Sequence, residues 1–252
     1  MERPITSRAN ARFKDLLAAL RPTGAARTHT LLIGEKLIET WRDASHARRL
    51  IPDSLWMLEG ADEPDSLRDL CLPVQWLSEK LMVDLSDSAS PPPCSLLLRV
   101  GPEPAGPLKN RVIVPWGIQD PGNLGAIFRS AAAFGFQEAL LGPGCADPFS
   151  PKALRGSMGT AFLLSIRRVQ FIEPGDGRWF ALDGGEGSIP LDAADLGEPL
   201  RILVGNEGHG WKHVSLPATV QRVAIPTTGV ESLNAAVAAG IACYEVQRRM
   251  AG

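Results

Sequence analysis

The chain has 252 residues with a formal net charge of −2; 44% of its residues are hydrophobic and 21% are charged, as in an ordinary globular protein. This composition excludes collagen-like repetition, coiled coil and long disorder. Apolar runs such as 96–98 are far shorter than the roughly 20 residues of a membrane-spanning helix, and we expect no membrane association. The N-terminus has no apolar signal-peptide core, so we expect a cytoplasmic protein.

The charge is unevenly distributed along the chain. Residues 1–49 carry ten Lys or Arg and five Asp or Glu, a net charge of +5, whereas residues 50–100 carry three and nine, a net charge of −6. The near-neutral total disfavours a protein that binds nucleic acid over its whole surface. A basic segment at the N-terminus instead indicates a local surface for an anionic partner.

Helical and strand patterns alternate in the first hundred residues. Helical spacing of apolar residues predicts a helix over 6–20, capped by Thr6 or Ser7. The elements predicted after it are a strand at 30–33, a helix from about Glu35 to Thr40 or beyond, and short strands at 55–58 and 74–77 with a helical stretch between them. Proline-rich stretches at 91–93 and 102–107 predict a boundary near residue 105, and so a small α/β domain over 1–105.

Residues 106–252 show a larger version of the same alternation. The predicted strands lie at 112–114, 139–141, 163–169, 179–182, 202–204 and 223–225. The predicted helices lie at 123–134, from 151 to 156, and at 233–249. Short apolar strands between helices predict an α/β domain with a parallel sheet that is covered on both faces.

The spacing of cysteine and histidine indicates neither a disulfide framework nor a metal site. Cys71, Cys94, Cys145 and Cys243 form no C-x-x-C pair, which predicts buried free thiols. His209 and His213 are four residues apart but have no further ligand nearby, so we expect no bound metal. Phosphate-loop, dinucleotide-binding and nucleophile-elbow motifs are also missing, which disfavours an NTPase, a dehydrogenase and an α/β-hydrolase.

Three segments place polar residues where a predicted strand leads into a turn or helix. Segment 119–129 carries Asn123 and Arg129, whose simplest interpretation is a helix cap and a solvated arginine. Segment 203–210 encloses Glu207 between glycines, as a simple turn would. Segment 225–236 brings Ser232 and Asn234 to a helix start, as an ordinary cap would. Because such turns converge on one edge of a parallel sheet, their coincidence predicts a single pocket.

The motifs DPGNLGAIFRSAAAFG, DPFSPKALRGSMGTAF, ILVGNEGHG and IPTTGVESLNAAVAAGIACYE, in this order, resemble the SpoU (TrmH) family of RNA 2′-O-ribose methyltransferases in the SPOUT superfamily. Upstream, SRANARFKDL resembles the family's N-terminal substrate-binding helix and LSEKLMVDLSDSASPPP the segment before its linker. The sequence departs from the family near Leu31 to Lys36, which is one residue shorter, and at Thr227, where methionine is common. The resemblance covers nearly the whole chain.

The resemblance implies a C-terminal α/β domain with a deep trefoil knot, S-adenosyl-L-methionine as cofactor, and a homodimer. It implies catalytic roles for Arg129, Asn123, Glu207, Ser232 and Asn234. The cofactor would be bound by Val204, Gly205, Ile225, Leu233 and Asn234, and RNA phosphates by Arg8, Arg12, Lys14, Arg21 and Arg27.

In the family that the sequence resembles, the arginine at the position of Arg129 is proposed to accept the proton of the ribose hydroxyl. A guanidinium is protonated throughout the working range of enzymes, so we expect Arg129 to position the hydroxyl or an adjacent phosphate, with proton acceptance as a hypothesis. Ribosomal RNA is favoured over tRNA because the N-terminal extension resembles that of the rRNA-modifying branch of the family. The alternatives are a catalytically silent RNA-binding protein of the same fold and a small-molecule enzyme of ordinary doubly wound type.

Overall fold

In the computed structural model the chain divides into two compact units, described here for residues 3–44, 49–86, 88, 90–206, 208, 210–212, 214–230 and 232–250. The N-terminal unit comprises Met1–Pro102 and Phe149–Pro151, and the C-terminal unit comprises Glu103–Pro148 and Lys152–Gly252. The division between Pro102 and Glu103 lies near residue 105, where the proline-rich stretches predict a boundary. Within the described ranges no helix has the length and apolarity needed to span a bilayer.

The N-terminal unit is built on a four-stranded mixed sheet in the order β1-β4-β2-β3. Strand β2 pairs in parallel with β3, and β4 pairs antiparallel with both β1 and β2. The strands are β1 (His29–Ile33), β2 (Leu50–Leu58), β3 (Val74–Leu77) and β4 (Cys94–Val100). The helices are α1 (Ala11–Leu20), α2 (Glu35–Asp43), α3 (Asp65–Arg68) and α4 (Glu79–Ser86), with a short 3-10 turn at Gly24–Ala26.

Helix α1 begins later than the apolar spacing predicts. Its cap is Asn10, whose side-chain oxygen accepts hydrogen bonds from the backbone N–H groups of Arg12 at 2.9 Å and Phe13 at 3.4 Å. The prediction of Thr6 or Ser7 as the cap is therefore wrong, because an asparagine nearer the apolar residues satisfies the first N–H groups. Phe13 and Leu16 on the inner face of α1 are buried in the core of this unit.

Two elements of the N-terminal unit are absent from the predicted set, namely α4 and β4. The proline-rich stretch between them indicates a linker, so the sequence pattern predicts neither element. Strand β4 lies between β1 and β2, and its first five residues are buried. Its apolar residues therefore form a continuous run instead of the alternation that marks a half-exposed strand.

The C-terminal unit contains a seven-stranded sheet in the order β7-β6-β5-β10-β8-β11-β9, and all its pairings are parallel. The parallel sheet predicted for this unit is thus confirmed. The strands are β5 (Arg111–Pro115), β6 (Glu138–Leu141), β7 (Ser165–Arg168), β8 (Arg178–Leu182), β9 (Ile189–Pro190), β10 (Leu200–Val204) and β11 (Val220–Ala224). The helices are α5 (Pro121–Ala133), α6 (Pro151–Ser157) and α7 (Ala235–Met250).

The strand order reverses beside β5. The chain first places β6 and β7 on one side of β5 and later returns to place β10 on the other side. Ligands of open parallel sheets bind outside the carboxyl ends of the strands at such a reversal, because the loops diverge there. The segments that follow β5 and β10 contain two of the three polar motifs of the sequence.

All four cysteines are free. Cys94 and Cys243 are buried and Cys145 is half-buried, whereas Cys71 is exposed, so the prediction of a buried thiol is wrong at Cys71. Burial raises the pKa of Cys94 to about 12 and raises that of Cys243 as well, because a thiolate is poorly solvated in an apolar core. Cys94 and Cys243 are therefore packing residues rather than nucleophiles.

Candidate functional site

A cavity of about 800 Å³ lies at the carboxyl edge of the C-terminal sheet. Three neighbouring strands, β10, β8 and β11, end at this cavity, and the loops that follow them form its walls. Four of the residues predicted to hold the cofactor line it, namely Val204, Gly205, Ile225 and Leu233. Ser232, an exposed predicted site residue, lines it too. The cavity therefore joins the second and third motifs of the sequence.

Gly205 and Trp211 form a tightly packed wall of the cavity. A Cβ on Gly205 would lie 3.0 Å from the Trp211 ring and 3.2 Å from the Gly210 carbonyl oxygen, so a side chain there would displace its neighbours. The Trp211 indole is 4% exposed, and its N–H donates to the Leu182 carbonyl at 2.9 Å. Trp211 thereby connects the loop after β10 to the end of β8.

The first and third motifs meet through a pair of amides. The Asn234 side-chain N–H₂ donates to the Asn123 side-chain oxygen at 3.3 Å. The Asn234 oxygen accepts from the backbone N–H groups of Ala236 and Val237 at 2.9 and 3.2 Å, so Asn234 also caps α7. This second role agrees with the plain interpretation of Asn234, but the pairing with Asn123 goes beyond it. Asn234 does not line the cavity described above.

Asn123 itself is not a helix cap. The cap of α5 is Asp120, whose side chain accepts from the Asn123 backbone N–H at 2.9 Å. A hydrogen bond from Lys152, reinforced by that backbone N–H, holds the pKa of Asp120 below its usual range. With capping performed by Asp120, the Asn123 side chain is available to Asn234.

Arg129 is exposed on α5, six residues after Asn123. Within the described part of the chain it makes no hydrogen bond or ion pair, which suits a guanidinium that contacts substrate. Glu207, to which the resemblance also assigns a catalytic role, lies outside the described residues, and its role stays a prediction.

The basic residues predicted to bind RNA differ in exposure. Arg8, Arg12, Lys14 and Arg21 are exposed on or beside α1. Arg8 forms an ion pair with Asp84 at 2.7 Å, and Arg12 donates to Gln75 at 2.7 Å. Arg27 is only 9% exposed and donates to the His29 carbonyl at 3.0 Å. The assignment of Arg27 to phosphate binding is corrected, because its guanidinium is used inside the fold.

The sequence interpretation missed one wall of the cavity. The loop after β8 contributes Asp183, Gly184, Gly185 and Glu186, and the neighbouring strand contributes Arg222. A signal was present, because glycines follow an apolar strand here just as they do after β10. Among the described residues no group of three or more His, Cys, Asp or Glu side chains could hold a metal ion; His209 and His213 lie outside those residues.

An apolar groove runs between α5 and α7 beside the Asn123–Asn234 pair. Its lining, listed from both helices, is Asn123, Ala126, Ser130, Phe134, Asn234, Ala236, Val237, Gly240, Ile241 and Tyr244. Val237, Ile241 and Tyr244 are 51%, 39% and 53% exposed, and the Tyr244 ring meets Phe134 edge-on at 5.7 Å. No charged residue lines the groove in the part of the chain described here.

Residues 110–244 match a family model described as the SpoU rRNA Methylase family. An uncharacterized tRNA/rRNA methyltransferase of Synechocystis is 38% identical over 139 residues, 52% of this chain and 51% of that protein. The chain thus spans about half the length of this relative and of similar mycobacterial ones. The 23S rRNA (guanosine(2553)-2′-O)-methyltransferase RlmP of Bacillus subtilis is 29% identical over 252 residues, covering 96% of this chain and 98% of that one.

Solved structures resemble the chain over nearly its full length. A crystal structure described as an RNA 2′-O ribose methyltransferase matches with a TM-score of 0.75 and 25% identity, covering 99% of this chain and all of that one. An AdoMet-bound rRNA methyltransferase from Sinorhizobium meliloti matches with a TM-score of 0.79 and 23% identity over 98% of each chain, a likeness of fold.

Proposed function

Because the chain belongs to the SpoU rRNA methylase family, we propose that it transfers a methyl group from S-adenosyl-L-methionine to the 2′-hydroxyl of a ribose in ribosomal RNA. The observation that carries this proposal is the cavity at the carboxyl ends of β8, β10 and β11, which unites residues of two motifs. The full-length similarity to a 23S rRNA 2′-O-methyltransferase supports ribosomal RNA as the substrate class.

The cavity suits this cofactor in size and lining. Its volume of about 800 Å³ lies within the range of roughly 300–1,000 Å³ for small-molecule sites. Val204, Ile225 and Leu233 contribute apolar side chains to the lining, and Gly205 contributes backbone without a side chain. We therefore assign these four residues to the cofactor and keep Asn234 with the catalytic group. When bound, S-adenosyl-L-methionine supplies a methyl group activated by its sulfonium.

The polar residues at this edge divide the remaining work. A ribose hydroxyl is a weak nucleophile, so it must be positioned in line with the methyl group and must lose its proton. We assign positioning of the hydroxyl or its neighbouring phosphate to Arg129, whose exposed guanidinium offers several N–H donors. Asn123, paired with Asn234, and Ser232 would position substrate and loops, and Glu207 would orient Arg129 or the ribose.

The two parts of the chain would have separate tasks. Residues 1–105 would bind RNA through Arg8, Arg12, Lys14 and Arg21, whose side chains are exposed near α1. Residues 106–252 would bind the cofactor, carry the trefoil knot and form the dimer. The cytoplasm is the proposed location, which the full-length similarity to a bacterial rRNA methyltransferase supports.

Removing two positive charges from α1 and its end should weaken RNA binding. For Lys14→Gln/Arg21→Gln we expect lower affinity for every RNA tested. The slope of log K against log salt should be smaller in magnitude by about 1.5, because binding with two fewer phosphate contacts releases fewer counterions. Filter binding at several salt concentrations measures both. The control is Lys36→Gln/Arg68→Gln, which removes the same charge from side chains that are 82% and 61% exposed elsewhere in the unit. Equal losses in both variants would contradict a specific role for α1.

The groove between α5 and α7 is the proposed dimer surface, with a second copy of this chain as its occupant. Its described lining residues are mostly apolar and none of them is charged, which is the composition of an interface core. Ile241→Glu should convert a dimer into a monomer in analytical ultracentrifugation, because a carboxylate would be buried without a partner. The control is Phe171→Glu, at a residue that is 73% exposed outside the groove. A dimer that persists in Ile241→Glu would place the interface elsewhere.

Incubation of the purified protein with tritiated S-adenosyl-L-methionine and undermethylated ribosomal RNA or tRNA tests the function. We expect label in ribosomal RNA, in a dinucleotide that resists alkali because its 2′-hydroxyl is blocked. Label in tRNA alone would make it a tRNA methyltransferase, and RNA binding without transfer would make it a silent RNA-binding protein. Cofactor binding with neither RNA binding nor methyl transfer to RNA would indicate a small-molecule enzyme.

A further inference from the structure

An ion pair in the wall of the cofactor cavity involves none of the three sequence motifs. Asp183 directly follows β8, and its carboxylate accepts a hydrogen bond from the Arg222 guanidinium, which projects from the adjacent strand β11. The Asp183 side chain is 19% exposed and the Arg222 side chain 43% exposed. Both residues line the same cavity as Gly205 and Leu233.

The same carboxylate organises the loop that follows β8. Its second oxygen accepts from the Gly185 backbone N–H at 3.0 Å, and the Asp183 backbone N–H donates to the Val223 carbonyl at 2.9 Å. A Cβ on Gly185 would lie 3.3 Å from the Asp183 carboxylate, so the turn leaves little space there. Asp183 is thus held by β11 and in turn holds the loop.

This loop needs such support because it contains Gly184, Gly185 and Gly187, which have wide conformational freedom. A loop that is already ordered before a ligand arrives loses less entropy on binding, and the affinity is correspondingly higher. Arg222 donates to the Asp183 carboxylate, and that carboxylate accepts from the Gly185 N–H in the loop, so the two side chains should behave as one unit.

We propose that Asp183 and Arg222 form a positioning pair that holds residues 183–186 as a wall of the cavity and thereby sets the affinity for the adenosyl cofactor. This inference rests on the proposed function of the cavity. The pair acts on binding, not on the methyl transfer itself, because neither residue belongs to the Asn123–Arg129 edge of the site.

A double-mutant cycle on the full chain tests the pair. For Asp183→Asn and for Arg222→Gln we expect the Kd of S-adenosyl-L-methionine, measured by isothermal titration calorimetry, to rise about tenfold, with no further rise in the double variant. The kcat at saturating cofactor should stay within about twofold, since the transition-state contacts are intact. Arg222→Lys should recover most of the affinity, because it keeps a positive charge beside Asp183.

A matched pair at the other end of β8 provides the control. Arg178 and Asp195 form an ion pair at 2.9 Å, and the Arg178 side chain is 43% exposed, as that of Arg222 is. Arg178→Gln and Asp195→Asn should leave the Kd unchanged. Wild-type affinity in Asp183→Asn or in Arg222→Gln, or effects that simply add in the double variant, would overturn the pair. If the unaltered protein binds no S-adenosyl-L-methionine, the proposed function fails first and the inference with it.

Discussion

Arg129→Lys is expected to lower the rate of methyl transfer to RNA at least about 100-fold, the usual cost of losing one aligned donor at a reacting centre. The Kd for S-adenosyl-L-methionine should change little, since Arg129 does not line the cofactor cavity. Lysine keeps the positive charge but loses the planar fork that can contact two oxygens at once. Single-turnover transfer of tritiated methyl groups, with calorimetry for the cofactor, separates the two effects.

The control for this substitution is Arg248→Lys on α7, where the native guanidinium is paired with Glu245 at 2.8 Å. It makes the same chemical change away from the proposed site and should keep full activity. Full activity in Arg129→Lys would rule out a special role for the guanidinium. If Arg129→Ala were also fully active, the assignment of Arg129 to the reaction would be wrong altogether.

Gly125→Ala is expected to destabilise the C-terminal unit by about 2 to 3 kcal/mol, the typical cost of overpacking. Helix α6 crosses α5 at this glycine, and an added Cβ would lie 2.5 Å from the Ala153 carbonyl oxygen and 2.7 Å from the Ser157 nitrogen. Both are backbone atoms, so the helices must separate. In a unit of this size the change corresponds to a Tm lower by roughly 5 to 10 °C in differential scanning calorimetry.

Gly175→Ala serves as the matched control, since a Cβ there meets nothing within 4 Å. Its Tm should stay within about 1 °C of the original, as for most surface substitutions. Activity should fall in Gly125→Ala even below its Tm, because α5 carries Asn123 and Arg129. An unchanged Tm in Gly125→Ala would mean that α6 does not pack on α5 at this crossing.

Local patterns in the sequence predicted much of the C-terminal unit. Strand β6, for example, is a run of four buried residues between turn formers, and helix α7 is an alanine-rich segment with Asn234 before it. The N-terminal unit was harder to predict. Strand β4 is central and buried on both faces, so it lacks the alternation of strands with one exposed face, and the three prolines before it indicate a linker. Helix α1 begins at the cap Asn10, later than the apolar spacing indicates.

The predicted site likewise contains residues whose location follows from the strand pattern and residues whose location or role does not. Val204, Gly205, Ile225 and Leu233 line one cavity because the carboxyl ends of parallel strands share an edge, which is a general property of such sheets. The catalytic roles of Arg129, Asn123, Ser232, Asn234 and Glu207 stay predictions until variants are measured. Arg27 shows the limit of charge counting, because composition cannot tell a buried guanidinium from an exposed one.

The sequence by itself determined the class of fold and the polar residues at the strand ends, because hydrophobic period and turn chemistry are local properties of the chain. The family came from the resemblance of its motifs. Only the tertiary structure decided which side chains meet. Asn123 and Asn234 are 111 residues apart, and Asp183 and Arg222 are 39 apart, yet each pair is in contact. The physical reason is the order of strands in the sheet: neighbours in space are set by which strands pair, and no local pattern specifies that order.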